Sequence, residues 1–125
     1  MKIIRFGLIA LLLSGCSAEP KNFAECVLEK IPGANSEIVR LSAYQQCRST
    51  FDEMFYEIQK GSNTGIFSNY SDGQECLLDK SKGLMHKNSV INIKMACSCL
   101  YDKPKVEGEM CSYEKIDLST LVRVK

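Results

Sequence analysis

The sequence predicts a mainly α-helical protein: two disulfide-stapled helical hairpins in tandem, then a short irregular C-terminal segment. Three observations predict it. Apolar residues recur at steps of three and four, the spacing of one helix face. The stretch Glu25-Cys26-Val27-Leu28-Glu29-Lys30 returns fifty residues later as Glu75-Cys76-Leu77-Leu78-Asp79-Lys80. Seven cysteines in 125 residues, with no Trp, point to an oxidising compartment or a metal site.

The fifty-residue offset continues past those six positions. Gly33 meets Gly83, and Cys47 meets Cys97, so each unit carries two cysteines at the same spacing. A duplicated supersecondary unit is the physical meaning of such a repeat. The units run at about 20–60 and 71–101. In the first, a helix starts near Pro20, carries Phe23, Val27, Leu28 and Ile31, and stops at Pro32-Gly33. Asn35 or Ser36 caps the next helix, which the apolar stripe Leu41, Tyr44, Cys47, Phe51, Met54, Phe55 and Ile58 extends to about Lys60. Residues 61–74, with Ile66, Phe67 and Tyr70 among them, read as a linker whose aromatics tuck onto the core. The second unit starts at Ser71 or Asp72, and Asn88 or Ser89 caps a last helix carrying Val90, Ile93, Cys97 and Leu100. Pro104 and Gly108 break the chain, and Leu121 to Val124 is a short strand or a tail.

Sequence alone does not choose among the disulfide connectivities of Cys26, Cys47, Cys76, Cys97, Cys99 and Cys111. The repeat favours Cys26–Cys47 and Cys76–Cys97, which leaves Cys99–Cys111. Against it stands an axial offset of roughly 9 Å between Cys26 and Cys47 in a tight hairpin, at 1.5 Å rise per residue. A pairing swapped between the units stays open. Cys97-Ser98-Cys99 is also a candidate for a soft metal or thiol exchange. A zinc site wants further Cys or His partners, and the chain has one His, His86, in a predicted turn.

The first fifteen residues read as an export signal. Lys2 and Arg5 give a positive start, and Phe6 and Leu8 to Leu13 an apolar run too short to span a bilayer. It ends Leu13-Ser14-Gly15-Cys16, which resembles the lipobox of bacterial lipoproteins. The resemblance implies cleavage before Cys16 by signal peptidase II, a diacylglyceryl group on the Cys16 thiol, and an acylated new amino terminus. Residues 1–15 are then the signal peptide and 16–125 one small helical periplasmic domain. Ser17 stands where that class carries Asp for inner-membrane retention, so the resemblance implies a palmitate-bearing anchor on the periplasmic face of the outer membrane. Two or more acyl chains hold a protein stably where one does not. The alternative is an ordinary secretory signal cut near Ala18.

Composition narrows the function further. Sixteen Lys+Arg against fifteen Asp+Glu give a net charge of +1, which argues against a nucleic-acid partner. Loss of residues 1–15 removes Lys2 and Arg5 and turns the sum to −1. Residues 19–57 sum to −3 and residues 76–106 to +4, which reads first as solvated helix faces and, as the alternative, as a basic surface for an acidic protein or cell-wall carboxylates. There is no phosphate loop, dinucleotide fingerprint, nucleophile elbow or zinc-protease His pair. Asp52-Glu53 reads as surface charge rather than an acid–base pair. The expectation is a protein without catalysis, metal or cofactor: a lipid-anchored helical interaction module whose partner is an envelope protein or the wall. The alternative is an immunity, entry-exclusion or enzyme-inhibitor lipoprotein. A thiol oxidoreductase built on Cys97 and Cys99 is the third class.

Overall fold

The computed structural model describes residues 18–112, and Cys16 and the 121–124 segment lie outside them. Among the described residues there are four helices and no strand: α1 (Phe23–Lys30), α2 (Glu37–Thr50), α3 (Gly73–Lys80) and α4 (Lys87–Tyr101). The backbone pairs once in β fashion, at an isolated bridge between Gln59 and Met110.

Caps set the helix starts. The Asn22 side chain accepts from the Glu25 N–H at 2.9 Å, and the Glu25 carboxylate reaches back to the Lys21 N–H at 2.7 Å. Fifty residues on, Asp72 accepts from the Glu75 N–H at 2.8 Å and Glu75 reaches back to the Ser71 N–H at 2.7 Å. Each arrangement satisfies donors that a helix start leaves orphaned, as a capping box does. Ser36 caps α2 by accepting from Val39 N–H. α4 starts earlier than its polar residues suggest. His86 holds the cap position without a side-chain cap bond, and Ser89 is fully buried inside the first turn.

Three disulfides join Cys26 to Cys47, Cys76 to Cys97 and Cys99 to Cys111. The first ties α1 to α2, the second ties α3 to α4, and the third ties the end of α4 to the loop that follows it. The axial offset is absorbed by the six-residue connection Ile31–Ser36, whose reach of about 20 Å exceeds the climb required. That connection is itself anchored, since Ile31 and Ala34 are both fully buried.

α2 ends at Thr50, well short of Lys60. The Ser49 hydroxyl donates to the Gln45 and Gln46 carbonyls and the Thr50 hydroxyl to Gln46, back-bonding that competes with the helix's own N–H donors and weakens its last turn. Phe51 leaves helical geometry and Met54 sits at φ 55°, in the left-handed region. The chain still returns Phe55 and Ile58 to the core, but from successive turns rather than along one helix face.

α1 and α4 form the inner pair. α1 packs against both α2 and α4, while α3 packs chiefly against α4, and α2 touches α4 only lightly. Phe23, fully buried, meets Tyr44 and Phe55 edge-on at centroid distances of 5.4 and 5.0 Å. Ile93, Ala96, Cys97 and Leu100 of α4 complete that core. Beyond α3, Tyr70 packs edge-on against Tyr101 at 5.0 Å.

Candidate functional site

The two hairpins meet at their connecting ends through polar contacts. His86 Nε2 lies 3.0 Å from the Asn35 carbonyl, and the Asn88 amide donates to Glu37 Oε1 at 3.3 Å. Arg40, on α2, donates through Nε and Nη2 to both oxygens of Glu37 and through Nη1 to Asn92 Oδ1 at 2.8 Å. This fork geometry suits a guanidinium and a carboxylate. Hydrogen bonding from Arg40, then from Asn88, lowers the Glu37 pKa to about 2 although the carboxylate is open to water.

Burying Arg40 turns the rest of α2 outward. Its guanidinium side, with Cys47, faces the protein, and Ile38 is left 79% exposed with Val39 and Leu41 about half exposed. At 100° per residue, Ile38 lies on the crest opposite Cys47, with Val39 and Leu41 on either flank. Leu41 is thus not a core residue, contrary to the stripe that the spacing suggests. Met85, 94% exposed, stands beside His86 at the same end of the molecule. A single exposed Leu means little, but a helix that buries its arginine and displays its aliphatic residues is informative.

At the opposite end the chain termini of the helices gather. The Gly73 N–H donates to Asp102 Oδ1 at 2.8 Å, joining the start of α3 to the end of α4. Gly61 N–H and Asn63 N–H donate to the Cys99 and Leu100 carbonyls, which seats the interhairpin loop on the same end. Asn63 Nδ2 also reaches Glu25 Oε1, the carboxylate that holds the Lys21 backbone. Tyr70 tucks inward as the sequence suggests, but Phe67 does not, and it and Ile66 beside it are each 93% exposed. Three residues beyond the loop's last hydrogen bond to α4, nothing remains for them to pack on.

The six cysteines among the described residues are all paired. Cys97 and Cys99 bond to different partners, Cys76 and Cys111, because residues two apart on a helix point to different sides. Among the described residues, no group of three or more His, Cys, Asp and Glu could hold a metal ion. Asp52 and Glu53 lie exposed in the turn after α2, with the Asp52 carboxylate accepting from the Glu53 N–H. A second polar patch joins the Tyr70 hydroxyl to the Asp79 carboxylate, with Lys82 at 3.3 Å on its other oxygen. Burial, and then the bond to Asp79, pushes the Tyr70 hydroxyl above its usual range, while the bond from Tyr70 holds Asp79 below its own.

Sequence reasoning missed Arg40 as a buried residue and Ile38 and Val39 as displayed ones. The Glu37–Arg40 spacing, three apart, is a readable ion-pair signal. Asn92, the third member, comes from the other hairpin and leaves no local trace. No helix among the described residues is long and apolar enough to cross a membrane. The chain matches no family model, no curated protein and no solved structure.

Proposed function

We propose that this is a lipoprotein anchored through Cys16 to the periplasmic face of the outer membrane, whose stapled helical body binds an envelope protein through α2. The carrying observation is the inverted helix: α2 buries Arg40 and Cys47 and presents Ile38, Val39 and Leu41 to solvent. Apolar surface on a helix held rigid by a disulfide favours binding, because little ordering entropy is left to lose. The lipobox resemblance supports the anchor, and six paired cysteines support an oxidising compartment. Anchoring raises the local concentration of the displayed face for partners in the same envelope.

A photo-crosslinking residue placed at Ile38 or Leu41 of the full-length chain tests this in cells. The expected result is one discrete crosslinked species, absent when the same residue replaces exposed Ser49 further along α2. Ile38→Glu should abolish the crosslink made from position 41 without unfolding the protein. No crosslink from either apolar position would remove α2 as the binding face. A toxin or wall hydrolase in the crosslinked band would assign the protein to the immunity or inhibitor class instead.

A further inference from the structure

We infer that the loop tip Ile66-Phe67 is a second, non-covalent contact with the lipid surface, beside the acyl anchor. The inference rests on the proposed acylation of Cys16. Its geometric basis is one carboxylate. Glu25 Oε2 holds the Lys21 backbone, where the chain enters the fold, and Glu25 Oε1 accepts from Asn63, at the stem of the loop. The five chain steps from Cys16 to Lys21 reach at most about 18 Å, and the three from Asn63 to Ile66 about 10 Å. An anchored Cys16 therefore brings this end of the molecule to the membrane.

What that end displays suits a lipid surface. Among the described residues, Ile66 and Phe67 are the most exposed pair of apolar neighbours in sequence, at 93% each. Val106 and Met110, 65% and 45% exposed, come from the neighbouring loop. That loop is fixed to the same stem, since Lys60 N–H donates to the Glu109 carbonyl at 2.8 Å and Cys111 is bonded to Cys99. Gly61, at φ 74°, lets the stem turn there, where a Cβ would come within 2.9 Å of the Asp102 carbonyl oxygen. An apolar tip held on a rigid stem, with an aromatic side chain, is the kind of element that settles into the boundary between headgroups and acyl chains. With the tip down, the junction of the hairpins and the Ile38 end of α2 point away from the membrane, toward a partner.

The chain has no Trp, so one introduced Trp reports one place. Full-length acylated Phe67→Trp and Met85→Trp proteins are placed in phospholipid vesicles with brominated acyl chains, after labelled palmitate incorporation has been measured for each. Trp at position 67 should emit at shorter wavelength than in detergent-free buffer and lose most of its emission to bromine quenching. Trp at position 85, at the far end, should be unaffected. Palmitate incorporated but no quenching at position 67 overturns the inference and leaves the anchor intact. Equal quenching at both positions overturns it too, since the body would then lie flat. No palmitate on either protein overturns the anchor, and the orientation with it.

Discussion

At equivalent places fifty residues apart, the first hairpin carries Phe23 and Leu28 and the second carries Gly73 and Leu78. Phe23 is fully buried and Leu28 is 6% exposed, whereas Leu78 is 65% exposed. Gly73 is buried too, but with no side chain: a Cβ there would lie 3.0 Å from Ser98 Cα and 2.8 Å from Asp102 Oδ1. The local frames agree closely, since α1 and α3 span 23–30 and 73–80 and both staples join residues twenty-one apart. Position decides the rest. α1 lies between α2 and α4 and needs apolar residues over a wide arc, whereas α3 covers α4 from one side and needs a close approach. In the second hairpin the long helix is the inner one, and in the first the short helix is. A shared spacing thus fixes caps and staples, and the neighbours fix which helix is core.

The sharpest way to break that comparison is to cut one staple at a time. Both close loops of the same length, so chain entropy assigns them similar worth, about 2–5 kcal/mol for a small secreted domain. The native contacts left behind differ. Freed α2 keeps the Phe23–Tyr44 edge contact and the Arg40–Asn92 bond, whereas freed α3 keeps the close approach of Gly73 to α4, the Gly73–Asp102 bond and the adjoining Tyr70–Tyr101 contact. A Cys26→Ser, Cys47→Ser variant should lose the helical signal of α2 and open it to proteolysis while α1 and α4 stay together. A Cys76→Ser, Cys97→Ser variant should keep α3 in place and unfold at a lower temperature as one unit. Limited proteolysis with circular dichroism separates the two, and equal behaviour would mean that the hairpins are energetically equivalent.

A smaller effect distinguishes the two leucines of the repeat. Leu28→Ala removes a buried side chain and should cost about 2–3 kcal/mol, from lost transfer energy and the cavity left behind. Leu78→Ala removes an exposed one and should stay within about 0.5 kcal/mol. Urea midpoints at constant slope read both. A large loss at Leu78 would mean that a partner or a second copy covers α3.

Much of this was legible in the residues, and the failures have physical causes. Ser36, one of the two caps offered for α2, and Asp72, one of the two starts offered for the second unit, hold the cap positions because a short oxygen-bearing side chain suits a helix start. The same rule fails at α4, where His86 takes the place expected of Asn88 or Ser89. The within-unit cysteine pairing is the one the repeat favours, although the repeat does not exclude a swap between the units. The end of α2 is not readable, since Phe55 and Ile58 continue the helical period while leaving the helix, and only the hydroxyls of Ser49 and Thr50 mark the stop. Arg40 and Phe67 escape for a different reason. The first is buried by a residue fifty-two positions away and the second has nothing to bury it, and neither fact is local. The same limit applies to the candidate surface: its residues are ordinary in sequence, and only the choice of which face of α2 turns inward makes them a surface.

The smallest expected effect tests the contact that joins the hairpins. Glu37 is half exposed, and its carboxylate pKa is lowered from 4.5 to about 2, first by the Arg40 hydrogen bond and then by Asn88 and the charges of Arg40 and His86. A depressed folded-state pKa means that the unfolded chain binds the proton more readily. The contact therefore contributes fully above pH 4.5 and is lost as pH falls from there to about 2. Glu75 and Asp79, also lowered, add their own acid sensitivity and must be held constant in the comparison. Glu37→Gln does so. The variant should be slightly less stable than the parent at neutral pH, because Arg40 loses its charged partner while keeping an acceptor. The gap should narrow below pH 4.5 and close as pH falls through about 2, where the parent carboxyl takes up its proton and comes to resemble the amide. Denaturant titrations of both proteins across that range give the difference directly. A gap that stays constant with pH would show that the charge of Glu37 does nothing for folding, and that Arg40 is held in place by Asn92 and the packing of α2 alone.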